Sequence, residues 1–185
     1  MSGKTSFIRA IGINVITGLT LNTCFAKEFN FSRMKIYSAI RISDDLLNDK
    51  SYYFEEVITI KAMIDRCDQG NTNLFLLDEI FKGTNTVERI SAGKAVLSHL
   101  IQSNNIVFVS THDIELTDLL QQDYELYHFS ENVNNNSVDF DYKLKQGKLK
   151  TRNAIRILQI NGYPESIIRE AYEISSEMDQ IRSIG

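Results

Sequence analysis

The sequence predicts an α/β fold: a mostly parallel sheet flanked by helices, with an antiparallel strand and a C-terminal pair of helices. Three observations predict it. Residues 74–77 and 106–109 are short, continuous apolar runs, the pattern of strands buried on both faces of a parallel sheet. Residues 86–102 between them carry apolar side chains at helical spacing, so strand, helix and strand follow one another as in a parallel unit. The tail after Pro164 has the periodicity of an amphipathic helix rather than of more sheet.

Taken in order, the first element is a helix over residues 4–19, where Phe7, Ile8, Ile11, Val15 and Ile16 recur at helical spacing. Residues 27–42 alternate through Phe29, Phe31, Ile36 and Ile40 and predict extended chain or a short meander. A second helix over residues 54–66 follows from Val57, Ile58, Ile60 and Ile64. The first apolar strand, residues 73–77, ends in two acids, Asp78 and Glu79. The helix over residues 86–102 buries Val87, Ile90, Ala95, Leu97, Leu100 and Ile101. The second apolar strand, residues 106–109, leads into a short helix over residues 115–121. Val138, Phe140, Tyr142 and Leu144 alternate with polar residues, so this strand has one wet face; it ends at Gln146-Gly147. A helix over residues 151–160 and a longer one from Pro164 onward flank the turn Asn161-Gly162-Tyr163. Ile167, Ile168, Ala171, Tyr172, Ile174 and Met178 mark the apolar stripe of the last helix. The expected domain plan is an α/β domain over residues 1–150 and a helix–turn–helix over residues 151–185.

Composition narrows the function. The 185 residues are 43% hydrophobic, enough for one packed core, and a single proline excludes a Pro-rich disordered chain. The formal charge is −4, without the basic excess of a domain that grips nucleic acid by itself. Cys24 and Cys67 stand in no C-x-x-C pair and read as reduced thiols of a cytoplasmic protein. No apolar run approaches the roughly 18 residues of a membrane span.

Four segments carry chemistry. Gly3-Lys4-Thr5 opens the first helix. There, backbone N–H groups and the helix dipole hold an anion, a lysine reaches β- and γ-phosphates, and a hydroxyl ligates Mg²⁺. Taken alone, such a tripeptide also occurs by chance at helix starts. Asp78 and Glu79 lie at the carboxyl end of the first apolar strand, the edge where open α/β sheets bind ligands. Asp78 would hold Mg²⁺, and Glu79 would polarise the attacking water as general base. Ser110-Thr111-His112 follows the second apolar strand, which puts His112 at the same edge, within reach of a γ-phosphate or the attacking water. Gly83-Thr84-Asn85-Thr86 is a small loop suited to contact across an interface, or simply a turn in which Thr84 or Thr86 caps the next helix. His99 and His128 read as structural or surface residues.

In this order the segments resemble the ATPase domain of the DNA mismatch-repair MutS family, within the ABC-type P-loop NTPases. Met1-Ser2-Gly3-Lys4-Thr5 resembles the end of the family's phosphate loop, the Walker A motif G-x-N-M-x-G-K-[ST]. Residues 76–86 resemble its Walker B strand and the loop that follows. Residues 110–116 resemble its Thr-His-x-x-Glu-Leu segment. Ser51-Tyr52-Tyr53-Phe54-Glu55-Glu56 is similar to its signature Ser-Thr-Phe-x-x-Glu, and Ser43-Asp44-Asp45-Leu46 to the stretch before it. Gly162-Tyr163-Pro164 and the final helix resemble its closing dimerisation element. The family's first strand and the start of its phosphate loop are absent, Tyr52-Tyr53 alter the signature, and Asn85 replaces a more usual serine, as in a divergent member.

The resemblance implies an ATPase that works as a homodimer through its ATPase faces and C-terminal helices, with DNA contacted by domains upstream of this chain. It implies nucleotide binding by Ser2, Gly3, Lys4, Thr5 and Ser6, and by Ser51 toward the opposite subunit. It implies Mg²⁺ at Thr5 and Asp78, catalysis by Glu79, and γ-phosphate sensing by His112. It further implies a chain that begins inside its own phosphate loop and binds ATP weakly when isolated. Two other classes remain open on the sequence: a non-catalytic nucleotide-dependent dimerisation module, and an ABC ATPase subunit of a transporter.

Overall fold

The computed structural model describes residues 3–40, 52–66, 70–102, 104–133, 137–149 and 153–184. The chain divides into two compact units, Gly3–Leu126 and the residues from Tyr127 onward.

The first unit runs α1 (Lys4–Leu21), β1 (Lys35–Ala39), α2 (Tyr52–Arg66), β2 (Asn73–Asp78), α3 (Thr86–Leu100), β3 (Asn105–Ser110) and α4 (Ile114–Leu120). Its three strands form one sheet in the order β1-β2-β3, and both pairings are parallel. β2 is the central strand, and Asn73, Leu74, Phe75, Leu76 and Leu77 are all buried. Successive strand side chains point to opposite faces, so β2 feeds two cores. Phe75 and Leu77 pack with Ile60 and Met63 of α2, Leu97 and Leu100 of α3, and Leu116 and Leu120 of α4. Leu74 and Leu76 pack on the other face with Ile8 and Val15 of α1 and with Met34. The result is three layers: α1, the sheet, then α2, α3 and α4. Burying a side chain such as Phe75 or Leu77 contributes about 1.5–3 kcal/mol. α1 lies so close to β2 that a Cβ on Gly12 would come within 2.6 Å of Leu76 Cδ1. The helix ends at Asn22 in the left-handed region (φ 52°). Beyond it, the buried Asn14 accepts a 2.6 Å bond from Phe25 N–H and fixes the exit of the chain.

Of the segment at residues 27–42, expected as extended chain or a short meander, β1 is the strand among the described residues. One expectation needs correction here. The second apolar run, β3, is not buried on both faces: Ile106 is 41% exposed. β3 hydrogen-bonds to β2 on one side, and among the described residues no strand pairs with its other edge.

The second unit holds β4 (Tyr127–His128), β5 (Glu131–Val133), β6 (Val138–Phe140), β7 (Lys145–Gln146), α5 (Ala154–Ile160) and α6 (Glu165–Ile184). The antiparallel pairing expected on the main sheet occurs instead in two separate ribbons, β4–β7 and β5–β6. The strand expected through Leu144 stops at Phe140, because Tyr142 turns into the left-handed region (φ 51°) and breaks the alternation. The turn at Gln146-Gly147 is present, with Gly147 at φ 87°. α5 closes with a Schellman turn: Gly162, at φ 75°, donates to Gln159 O at 3.1 Å, and Tyr163 N–H donates to Leu158 O at 3.2 Å. Pro164 then opens the next helix, its carbonyl accepting from Ile167 N–H at 3.0 Å. On α6, Ile168 is buried whereas Ile167, Tyr172, Ile174, Met178 and Ile181 are exposed.

Candidate active site

Three segments distant in sequence meet at the carboxyl ends of β2 and β3. The first is the start of α1. Gly3 is its N-cap at φ 98°, a conformation that disfavours any side chain, and no side chain caps the helix. Phe7 N–H to Gly3 O, at 2.9 Å, closes the first turn. The N–H groups before it are the end of the macrodipole that attracts anions.

The second and third segments follow the two strands. Asp78 and Ser110 are register partners across β2 and β3, and Ser110 Oγ donates to Asp78 Oδ1. Thr5 Oγ1 donates to the other oxygen, Oδ2, at 2.8 Å. The hydroxyl and carboxylate expected to share a cation therefore touch directly. Lys4 Nζ lies 3.2 Å from His112 Nε2, and that same Nε2 lies 3.1 Å from Glu79 Oε1. Glu79 Oε2 pairs with Lys82 Nζ. One imidazole nitrogen makes one of its two bonds at a time: its lone pair accepts from Lys4, whereas an N–H there donates to Glu79. His112 is thus placed to pass between a cation and the candidate base.

Asp78, Glu79 and His112, expected at one edge of the sheet, and Lys4 and Thr5, expected at the start of the first helix, are brought together. Ser6 is exposed in the first turn of α1. Ser2, Ser51 and the stretch Ser43-Asp44-Asp45-Leu46 lie outside the described residues. Thr5 and Asp78 offer only oxygen, a hard donor set. Mg²⁺ is usually bound by one or two carboxylates, with substrate phosphates and water completing its shell. The pair fits that role. Among the described residues, no group of three or more His, Cys, Asp or Glu side chains could cage a metal unaided.

The loop after β2 has an unusual backbone. Glu79 at φ 53° and Phe81 at φ 62° are non-glycine residues in the left-handed region, each costing roughly 1–2 kcal/mol. Several contacts hold them there. Glu79 N–H donates to Ser110 O at 2.9 Å. The Phe81 ring is buried and meets Tyr53 edge-on at 6.3 Å. The cap of α3 is Asn85, not Thr84 or Thr86: its extended backbone (φ −64°, ψ 158°) lets its side chain accept from Glu88 N–H at 3.0 Å. Thr84 Oγ1 donates instead to Glu88 Oε2 at 2.8 Å.

The loop after β3 is clamped from α3. Arg89 grips Asp113 through two bonds, Nε to Oδ2 at 2.9 Å and Nη2 to Oδ1 at 2.6 Å. The guanidinium holds the Asp113 carboxyl below the usual carboxylate range, and Asp113 in turn raises Arg89. Asp113 N–H donates to Thr111 Oγ1 at 2.9 Å, so both neighbours of His112 are fixed. Sequence reasoning gave no role to Ser110, Lys82 or Arg89. For Ser110, strand register was the available signal, since it ends β3 exactly opposite Asp78.

Residues 1–179 match the family model described as MutS domain V. The chain belongs to the MutS family. It is 26% identical over 183 residues to the DNA mismatch repair protein MutS of Aquifex pyrophilus, covering 97% of this chain and 21% of that protein. It is 27% identical over 189 residues to MutS protein homolog 4 of Homo sapiens, covering 96% of this chain and 20% of the relative. Against the DNA mismatch repair protein MutS of Geobacillus sp. it is 28% identical over 186 residues, covering 97% and 21%. The MutS domain V chain therefore spans about a fifth of the length of these relatives. Among its described residues, no helix is long and apolar enough to cross a membrane.

Proposed function

We propose that this chain is the ATP-hydrolysing part of a MutS-related protein acting in DNA mismatch repair or recombination. Support comes from one convergence: Lys4 and Thr5 at the start of α1, Asp78 and Glu79 after β2, and His112 after β3. Triphosphate would lie over the first turn of α1, with Lys4 leaving His112 for the β- and γ-oxygens and Ser2, Gly3 and Ser6 lining the cradle. Mg²⁺ at Thr5 and Asp78 would neutralise charge on those oxygens. Glu79 takes a proton from the water that attacks the γ-phosphorus; the bond to the bridging oxygen breaks, and ADP and phosphate leave. His112, released by Lys4, orients Glu79 or donates to the γ-phosphate.

Nucleotide-dependent pairing of two copies is part of the same reading, with Ser51 reaching the opposite copy's nucleotide. The exposed stripe of Ile167, Tyr172, Ile174 and Met178 on α6 supplies apolar area for self-association. DNA contact is assigned to segments beyond this chain, whose formal charge of −4 offers no basic excess. The substitution Lys4→Ala in the full-length protein tests the phosphate role. A fluorescent ATP analogue should bind at least about tenfold more weakly, the scale of one lost charge-assisted contact. Unchanged binding would remove Lys4 from the site.

A further inference from the structure

His112 stands between two anchors. On one side is Ser110, buried at the end of β3: its Oγ donates to Asp78 Oδ1, and its carbonyl accepts from Glu79 N–H at 2.9 Å. On the other side is Asp113, whose carboxylate accepts from both Nε and Nη2 of Arg89 on α3, at 2.9 and 2.6 Å. The imidazole between them is 71% exposed, so packing does not fix its aim. Its direction follows from the backbone of residues 110–113 and from its polar contacts with Lys4 and Glu79.

Two features set the Arg89 contact apart from an ordinary surface ion pair. Exposed pairs are worth little, but this one is bidentate, and Arg89 and Asp113 are only 21% and 17% exposed. Paired N–H donors on a planar fork fix orientation as well as distance. Asp113 also occupies the N-cap position of α4, where an aspartate ordinarily accepts from an N–H of the first turn. It makes no such bond. Its carboxylate is turned to Arg89 instead, while its own N–H donates to Thr111 Oγ1 at 2.9 Å and closes a tight turn around His112.

The first turn of α3 holds the other loop as well. Glu88, beside Arg89, accepts from Thr84 Oγ1 at 2.8 Å and from Asn85 Nδ2 at 2.6 Å. One helical turn therefore anchors both the loop that carries Glu79 and the loop that carries His112, whose side chains meet at 3.1 Å.

We infer that Arg89 is the positioning residue of His112: its fork on Asp113 fixes the loop after β3 so that the imidazole faces Lys4 and Glu79. The inference rests on the proposal that His112 takes part in hydrolysis. Arg89 acts through Asp113 and has no chemical step of its own.

The test compares Arg89→Ala, Arg89→Lys, His112→Ala and the double variant Arg89→Ala/His112→Ala in the full-length protein. Amide hydrogen exchange across residues 111–114 is the first readout; kcat and KM for ATP are the second. Arg89→Ala should exchange at least about tenfold faster there and lose about tenfold in kcat, with KM changed less than about threefold. A catalytic group displaced by about 1 Å can cost up to about 10²-fold. Arg89→Lys keeps the charge and the stem but not the fork; it should melt like the parent and still lose at least about threefold in kcat. In the double variant, removing Arg89 should change kcat less than about twofold beyond His112→Ala, since a residue that acts through another adds nothing once that other is gone. Full kcat in Arg89→Ala or in Arg89→Lys would overturn the inference. So would equal kcat losses from Arg89→Ala with and without His112, the mark of a merely structural role. If His112→Ala hydrolyses ATP normally, the part assigned to His112 falls instead, and exchange across residues 111–114 alone then decides whether Arg89 holds the loop.

Discussion

Replacing Phe81 sets two effects of known sign against each other. Its ring is buried at 5% exposure in the main core, and truncating such a residue to alanine costs about 3–5 kcal/mol. Its backbone, at φ 62°, is strained for any residue with a Cβ, by roughly 1–2 kcal/mol. Phe81→Ala loses the ring and keeps the strain, so it should cost the full 3–5 kcal/mol, approximately. Phe81→Gly loses the same ring but sheds the strain, leaving a net loss of about 2–3 kcal/mol. At ordinary positions glycine is the worse residue, by about 0.5–1 kcal/mol; here alanine should be. Urea unfolding of the two variants measures the difference. With a slope of about 2 kcal/mol per molar, the glycine variant should unfold at a midpoint about 0.5–1 M higher. An alanine variant as stable as the glycine variant, or more so, would refute a left-handed Phe81.

Asp113→Asn should destabilise the chain by about 1–3 kcal/mol at neutral pH, because it leaves the half-buried Arg89 guanidinium without its charged acceptor. The folded-state pKa of Asp113 is depressed, so its contribution is complete above the ordinary carboxylate range and is lost as pH falls below it. Urea midpoints of parent and variant should therefore differ at pH 7 and converge toward pH 3. Gly12→Val should cost roughly 1–3 kcal/mol, since α1 must move off β2 to admit the side chain; a thermal melt unchanged from the parent would contradict that packing. The isolated chain, at formal charge −4, should not retard duplex DNA at moderate salt, with or without a mismatch, in a gel-shift assay.

The central strand and its acids were legible because burial on both faces writes itself as an unbroken apolar run, and β2 is such a strand. The position of Asp78, Glu79 and His112 at one edge followed from strand direction alone, and the parallel register of β2 and β3 brings them there. Periodicity could not show that, among the described residues, β3 pairs with a strand on only one side, since Ile106 looks the same in sequence whether covered or exposed. Nor could it anticipate the left-handed backbone of Glu79, Phe81 and Tyr142, residues that seldom adopt it and whose conformation comes from surrounding contacts. Glu56 was legible as the acid that closes the signature-like segment, but that it faces the core at 2% exposure is visible only in the fold.

Glu79 carries the proposed chemistry. In the full-length protein, phosphate release under steady-state ATP should drop by about 10²–10⁴ in Glu79→Gln, the range attributed to a general base, while a fluorescent ATP analogue still binds with the affinity of the parent. Unchanged phosphate release would contradict the assignment of Glu79 as the residue that activates water.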